Sequence, residues 1–320
     1  MQYENRVPDE AVNYSTEHPL REFAWLVVGM FALIAGGAAL IGFFAGEIAA
    51  RLPFSVEKDF SKSIAQYWQD KPRDAAADEA RTALRAIAAK LAPAMHLPPG
   101  MEIQVHYSPD GVTNAFATLG GNVVFYRGLL EKFDSEDAVA MVMAHEIAHA
   151  RLRHPAAGLG RGIAVGLTLS LISSGAGQGV AGNAMQTAGV LPLLHYSRDQ
   201  EAAADAEAMA ALAAVYGHLG GARDTFTTFA KLGAPGGSQV SILRTHPLTS
   251  ERIASIERLA TERGWKLDGE RRALPPALAR LKQQKVEKVE KVDKTEKTEK
   301  TEKTEKTEKT EKAEKAEREH

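Results

Sequence analysis

Met143-Ala144-His145-Glu146-Ile147-Ala148-His149 is the stretch around which this 320-residue chain is organised. It contains His-Glu-x-x-His. On a helix, positions i and i+4 lie one above the other, so His145 and His149 can aim both imidazoles at one point. Two neutral imidazoles so placed suit a divalent metal, most plausibly zinc, and Glu146 then stands beside the metal as a base toward water. The local sequence supplies the helix. Asp134-Ser135 can cap it, Glu136 and Asp137 suit the positive end of its dipole, and Ala138 to Ala150 holds no Gly or Pro. Val139, Val142, Met143, Ile147 and Ala150 make an apolar stripe, and Pro155 limits continuation. A buried helix with two satisfied histidines reads the same way, so a third ligand is needed.

Leu152 and Pro155 stand where a metzincin needs its glycine and third histidine, which excludes that class. A glutamate on a later helix is the other solution. Ser197-Arg198-Asp199-Gln200-Glu201-Ala202-Ala203-Ala204-Asp205 offers Glu201 and Asp205 on one helical face. Glu201 would complete a His-His-Glu set and leave a fourth position for water. Asp205 can accept the N–H of a ligand histidine and fix its tautomer. Alone, the segment is equally an alanine-rich surface helix with ordinary acids.

Further motifs carry a family resemblance. Asn114-Ala115-Phe116-Ala117 leads through Gly120-Gly121 to Val123-Val124-Phe125-Tyr126-Arg127-Gly128-Leu129-Leu130, Ser197-Arg198 precedes Glu201, and Thr245-His246-Pro247 is followed by Arg252. With His-Glu-x-x-His, these stand in the order found in the HtpX and type I CAAX prenyl endopeptidase family of gluzincin zinc metallopeptidases, which residues 75–262 resemble. The resemblance implies a mostly helical α+β zincin-type domain with a small sheet beside the cleft. It implies one zinc held by His145, His149 and Glu201, with Glu146 as base and Asp205 behind the ligands. It places His246 near the metal, either as an oxyanion donor or as a ligand of a resting form. Asn114 has no role derivable from sequence.

Composition bounds the rest. The net charge of −2 gives no basic signal for nucleic acid, and the absence of cysteine excludes disulfides, thiolate ligands and a lipid-modified cysteine. Residues 1–23 read as a polar tail. Ala24 to Gly46 then runs without a charge, long enough at about 1.5 Å per residue to span a bilayer core of about 30 Å. The reading is a single-pass anchor in the cell membrane, with the lipid bilayer as a partner. Arg6 and Arg21 before the span against Arg51, Lys58 and Lys62 after it do not fix orientation by charge. The expectation leans to an extracytoplasmic catalytic domain.

Residues 47–72 read as a juxtamembrane linker with amphipathic pieces around Phe54, Phe60 and Tyr67-Trp68, and residues 73–270 as the metallopeptidase domain. Within it, Asp74 to Ala92 reads as a helix, Ile103, Val105 and Tyr107 alternate as a strand, and Ala115–Leu119 with Asn122–Tyr126 form a hairpin around Gly120-Gly121. An edge strand beside a metal cleft can take up an extended peptide through backbone hydrogen bonds. Gly158 to Leu194 is rich in small residues and reads as a helical hairpin or a flap. His154 and His195 are left as outer or surface histidines. Helices are expected over Glu201–Tyr216, Asp224–Leu232 and Thr249–Arg263, with Arg252 placed to bridge an acid under the site. From residue 271 the chain reads as a tail, which from Val286 repeats a Glu-Lys triplet. A period of three leaves no apolar face on a helix of about 3.6 residues per turn. The functional expectation is a membrane-anchored zinc endopeptidase acting on protein substrates in envelope or membrane-protein quality control. The alternative is a catalytically silent chaperone or scaffold of the same fold, for which an intact Glu146 has no use.

Overall fold

The computed structural model describes residues 19–62, 66, 74–162, 196–234 and 241–283. The expected flap between 163 and 194, His195, Tyr67-Trp68, the loop at 235–240 and the Glu-Lys repeats lie outside these residues.

The first described element is helix α1, Pro19–Arg51, 33 residues long. Its large apolar side chains, among them Trp25, Phe31, Leu33, Leu40 and Phe43, are exposed. A core helix would bury such a surface. Among the described residues it is the one helix long and apolar enough to cross a membrane. Its last turns touch the domain. A Cβ on Gly160 would stand 2.4 Å from Ala45 O, and one on Gly46 would stand 3.0 Å from Arg161 Cγ. Pro53 then turns the chain into the short helix α2, Phe54–Phe60.

Helix α3, Ala75–Leu91, is capped by Asp74, whose side chain accepts from Ala77 N–H. It buries Leu84, Ile87 and Leu91. A three-stranded sheet follows: β1 (Gln104–Ser108), β2 (Ala115–Thr118) and β3 (Asn122–Tyr126), in the order β1-β3-β2. β2 and β3 are the expected hairpin, antiparallel with Ala117 opposite Val123, while β1 joins β3 in parallel. β2 is therefore an edge.

Helix α4, Glu136–Arg151, carries the His-Glu-x-x-His stretch and is the centre of the fold. The sequence shows an apolar stripe. The structure buries every residue from Glu136 to Ala150, because the sheet, α3 and the later helices surround it. Alanines at 138, 140, 144, 148 and 150 permit that close approach. Its acidic first turn is answered by partners: Lys90 Nζ lies 2.7 Å from Glu136 Oε1, and Asp137 accepts from Arg272 N–H at 2.8 Å. Helix α5, Arg198–Tyr216, lies along α4. Helices α6 (Gly220–Leu232) and α7 (Ser250–Arg263) complete the domain. α6 meets α4 at Gly221, where a Cβ would fall 2.2 Å from Asp137 O. The packed chain continues past the boundary expected at residue 270. Ala273 bridges to Ser135, and Leu278 and Leu281 are buried in the main core, so apolar side chains at 274–281 belong to the domain rather than to the tail.

Candidate metal centre

Helix capping sets where the site residues fall. Ser135 Oγ accepts from Ala138 N–H at 3.2 Å and starts α4, placing His145 and His149 one turn apart on its inner face. At α5, Ser197 Oγ accepts from Gln200 N–H and Gln200 Oε1 accepts from Ser197 N–H, a reciprocal cap. It fixes the first turn, so Glu201 and Asp205 face α4.

The ligand candidates converge. His145 Nε2 and His149 Nε2 are 3.0 Å apart, Glu201 Oε1 lies 3.3 Å from His149 Nε2, and Glu201 Oε2 lies 3.5 Å from His145 Nε2. A tetrahedral metal with bonds of about 2.0–2.1 Å separates its ligand atoms by roughly 3.3 Å, so these spacings suit one ion. His246 joins the group, its Nδ1 2.9 Å from Glu201 Oε1 and 3.3 Å from His145 Nε2. The four residues are buried and their ligand atoms all lie within 4.8 Å of one another. Glu146 is fully buried beside them: Ala117 N–H of β2 donates to its Oε2 at 2.8 Å, and its Oε1 lies 3.5 Å from His246 Nε2.

Behind the cluster, Asp205 Oδ1 is 2.9 Å from His145 Nδ1, which turns His145 Nε2 inward. Arg252 donates through Nε and Nη2 to Asp205, and its Nη1 stands 2.6 Å from Glu201 Oε2 and donates to Pro247 O at 3.0 Å. Burial alone would depress His145, but Asp205 and Glu201 outweigh it and hold the imidazole at about 10. Burial dominates at His149 and keeps it well below the ordinary histidine value. Glu201 is held far below the usual carboxylate range. Burial opposes this, and the His246 charge with three histidine hydrogen bonds overcomes it.

These groups fit a metal. Glu146, Glu201 and Asp205 gather three buried carboxylates around His145, His149 and His246, with the Arg252 guanidinium behind them. Buried Glu146 Oε1 and His246 Nε2 have no hydrogen-bond partner, and Glu201 Oε2 is met by Arg252 Nη1. Imidazole nitrogens and carboxylate oxygens clustered at ligand spacing, with a buried carboxylate oxygen left without a hydrogen bond, are an environment that a bound cation satisfies.

The match to known families agrees with this geometry. Residues 78–260, more than half of the chain, match the model of peptidase family M48. The chain belongs to peptidase family M48. It is similar to a putative beta-barrel assembly-enhancing protease of Vibrio cholerae, 31% identical over 163 residues. That alignment covers 48% of this chain and 34% of the relative. It is also similar to the mitochondrial metalloendopeptidase OMA1 of Arabidopsis thaliana, 33% identical over 155 residues, covering 48% of this chain and 30% of the relative. The beta-barrel assembly-enhancing protease of Escherichia coli is 54% identical over a shorter stretch of 41 residues, 13% of this chain and 8% of the relative. The chain thus spans about a third of the length of the first two.

The M48 region brings all six residues expected from sequence into one place: His145, Glu146, His149, Glu201, Asp205 and His246. It also uses residues the sequence left without a role. His154 Nδ1 lies 2.8 Å from His149 Nδ1, so His154 orients the second ligand candidate. Burial lowers His154 to about 4, which keeps it neutral. Tyr196 stacks on His149 with ring centroids 3.8 Å apart, and its buried hydroxyl has no hydrogen-bond partner. Asn114 acquires a function. Its Oδ1 accepts from Thr245 Oγ at 3.4 Å, its carbonyl accepts from Tyr126 N–H, and Thr113 O accepts from Ile242 N–H. The loop bearing His246 is thereby tied to the start of β2. Nothing local in the sequence marks Tyr196 or His154, and Asn114 stands at the head of a motif that assigns it no role.

Proposed function

We propose that this chain is a zinc-dependent endopeptidase, anchored by α1, that hydrolyses protein substrates by water activated at the His145, His149 and Glu201 centre. The observation that carries the reading is the convergence of those three ligand candidates with a buried Glu146 whose Oε1 is unengaged. A His-His-Glu donor set suits zinc at a centre that keeps one position open. When bound, the metal supplies Lewis acidity, which makes water at the site more acidic and polarises the scissile carbonyl.

The protein groups do the rest. Glu146 Oε1 takes a proton from the attacking water and returns one to the departing amine, so water adds across the amide to leave a carboxylate and an amine. Ala117 N–H on Glu146 Oε2 holds the other oxygen, leaving Oε1 as the working one. His246, on a loop stiffened by Pro247, donates to the oxyanion that develops on the carbonyl. Asp205 and Arg252 keep His145 and Glu201 in position. The free edge of β2 receives the substrate as an added strand, which favours broad sequence tolerance. A cleft of about 520 Å³ lined by Tyr196, Glu201, Pro247 and Arg252 borders the centre.

The relatives named for beta-barrel assembly, together with the exposed apolar surface of α1, support a single-pass protein whose catalytic domain handles membrane or envelope proteins on the extracytoplasmic face. The test is casein cleavage by the purified full chain, with and without a chelator and with Glu146→Gln. Zinc-restorable cleavage that Glu146→Gln abolishes is expected. A full chain that does not cleave even with zinc supplied would overturn the reading in favour of a scaffold, and cleavage that survives both treatments would remove the metal and Glu146 from the reaction.

A further inference from the structure

Glu57 lies on α2, outside the M48 match, yet it is 6% exposed. Its two oxygens go to different elements. Oε1 accepts from Gly120 N–H at 2.7 Å, and Oε2 lies 2.6 Å from Arg153 Nε. Gly120 is the turn between β2 and β3 and has φ +74°, a conformation that favours glycine. The seat is tight: a Cβ there would fall 1.9 Å from Ser61 Oγ, just past α2. Arg153, two residues beyond the end of α4, has φ +61° and lies 5.7 Å from the Phe54 ring centre. A buried carboxylate persists when its charge is paired, and Glu57 pairs with Arg153 and accepts one hydrogen bond from Gly120, joining the hairpin turn to the exit of the metal helix.

The turn bears on the cleft. β2 has four residues, it is the sheet edge, and Ala117 donates to Glu146 three positions before Gly120. Holding Gly120 therefore holds the register of the edge strand against Glu146. We propose that Glu57 is a positioning residue for peptide hydrolysis, fixing the substrate-receiving edge. The segment after the apolar helix is then part of the catalytic frame rather than a tether. This rests on the endopeptidase reading and deepens it.

The experiment compares the full chain with Glu57→Ala and Glu57→Gln by kcat and KM on one peptide, by bound metal, and by amide hydrogen exchange over residues 115–126. In Glu57→Ala, exchange at Gly120 should quicken and KM rise, each by about an order of magnitude, the scale set by losing one charge-assisted hydrogen bond. Bound metal should stay at the parental level. Glu57→Gln keeps an acceptor for Gly120 N–H and should recover most of the exchange protection and of KM. Parental exchange and KM in Glu57→Ala would overturn the proposal, as would a loss of metal with faster exchange throughout the domain, which marks a merely structural role. A parent without Glu146-dependent cleavage removes the endopeptidase reading and this proposal with it. A cleaving parent with an unaltered Glu57→Ala removes the proposal alone.

Discussion

Arg252 grips Asp205 with two nitrogens, Nε on Oδ2 at 2.7 Å and Nη2 on Oδ1 at 2.9 Å, across 47 residues of sequence. The pair is buried, and the third guanidinium nitrogen reaches Glu201. One cation thus sets both the carboxylate that orients His145 and the carboxylate offered as a ligand. A guanidinium can do this because its donors form a planar fork.

Arg252→Ala should therefore be costly. It leaves two buried carboxylates short of their partner, a change worth about 3–5 kcal/mol where a buried ion pair is broken from one side. Urea denaturation should show a loss of that order. Arg252→Lys should recover little, since a single ammonium cannot serve Asp205 bidentately. A Lys variant with parental stability would contradict the fork argument.

Glu201→Gln should leave the fold in place but reduce bound zinc. An amide lacks the charge that balances the ion, and α5 still packs through Ala204, Ala208 and Leu212. Elemental analysis of dialysed protein measures this. Full zinc in Glu201→Gln would remove Glu201 from the ligand set.

His246→Ala should retain zinc and lose roughly 10²–10³ in kcat, the typical effect of removing one oxyanion donor. The position of His246 Nδ1 within the ligand cluster supplies the competing expectation. If His246 closes a resting centre, its removal raises activity and slightly weakens the metal. One peptide assay separates the two by sign, and unchanged activity with zinc intact refutes both.

The full chain should stay with membranes through carbonate extraction, and deletion of residues 1–50 should release it. The exposed apolar face of α1 motivates this, and the deletion spares Glu57, so an active soluble product is expected. A full chain that carbonate already extracts would end the anchor reading.

Much of the centre was legible in the sequence. His145 with His149, and Glu201 with Asp205, are each four residues apart, and the geometry of a helix alone puts such pairs on one face. Caps at Ser135 and Asp74, the Gly120-Gly121 turn and the charge-free run in α1 are likewise local signals, written in a few neighbouring residues. What no window of sequence contains is which faces meet. His246 reaches His145 from 101 positions away, Asn114 holds Thr245 from 131, and Glu57 holds Gly120 from 63. His154 and Tyr196 bracket His149 although nothing in their own neighbourhoods points to it. The reason is physical. A hydrogen bond along a helix is dictated by covalent geometry and repeats at a fixed spacing. A contact between distant elements exists only once burial of the alanine-rich helix α4 has chosen the packing of the sheet, α5 and the loops around it.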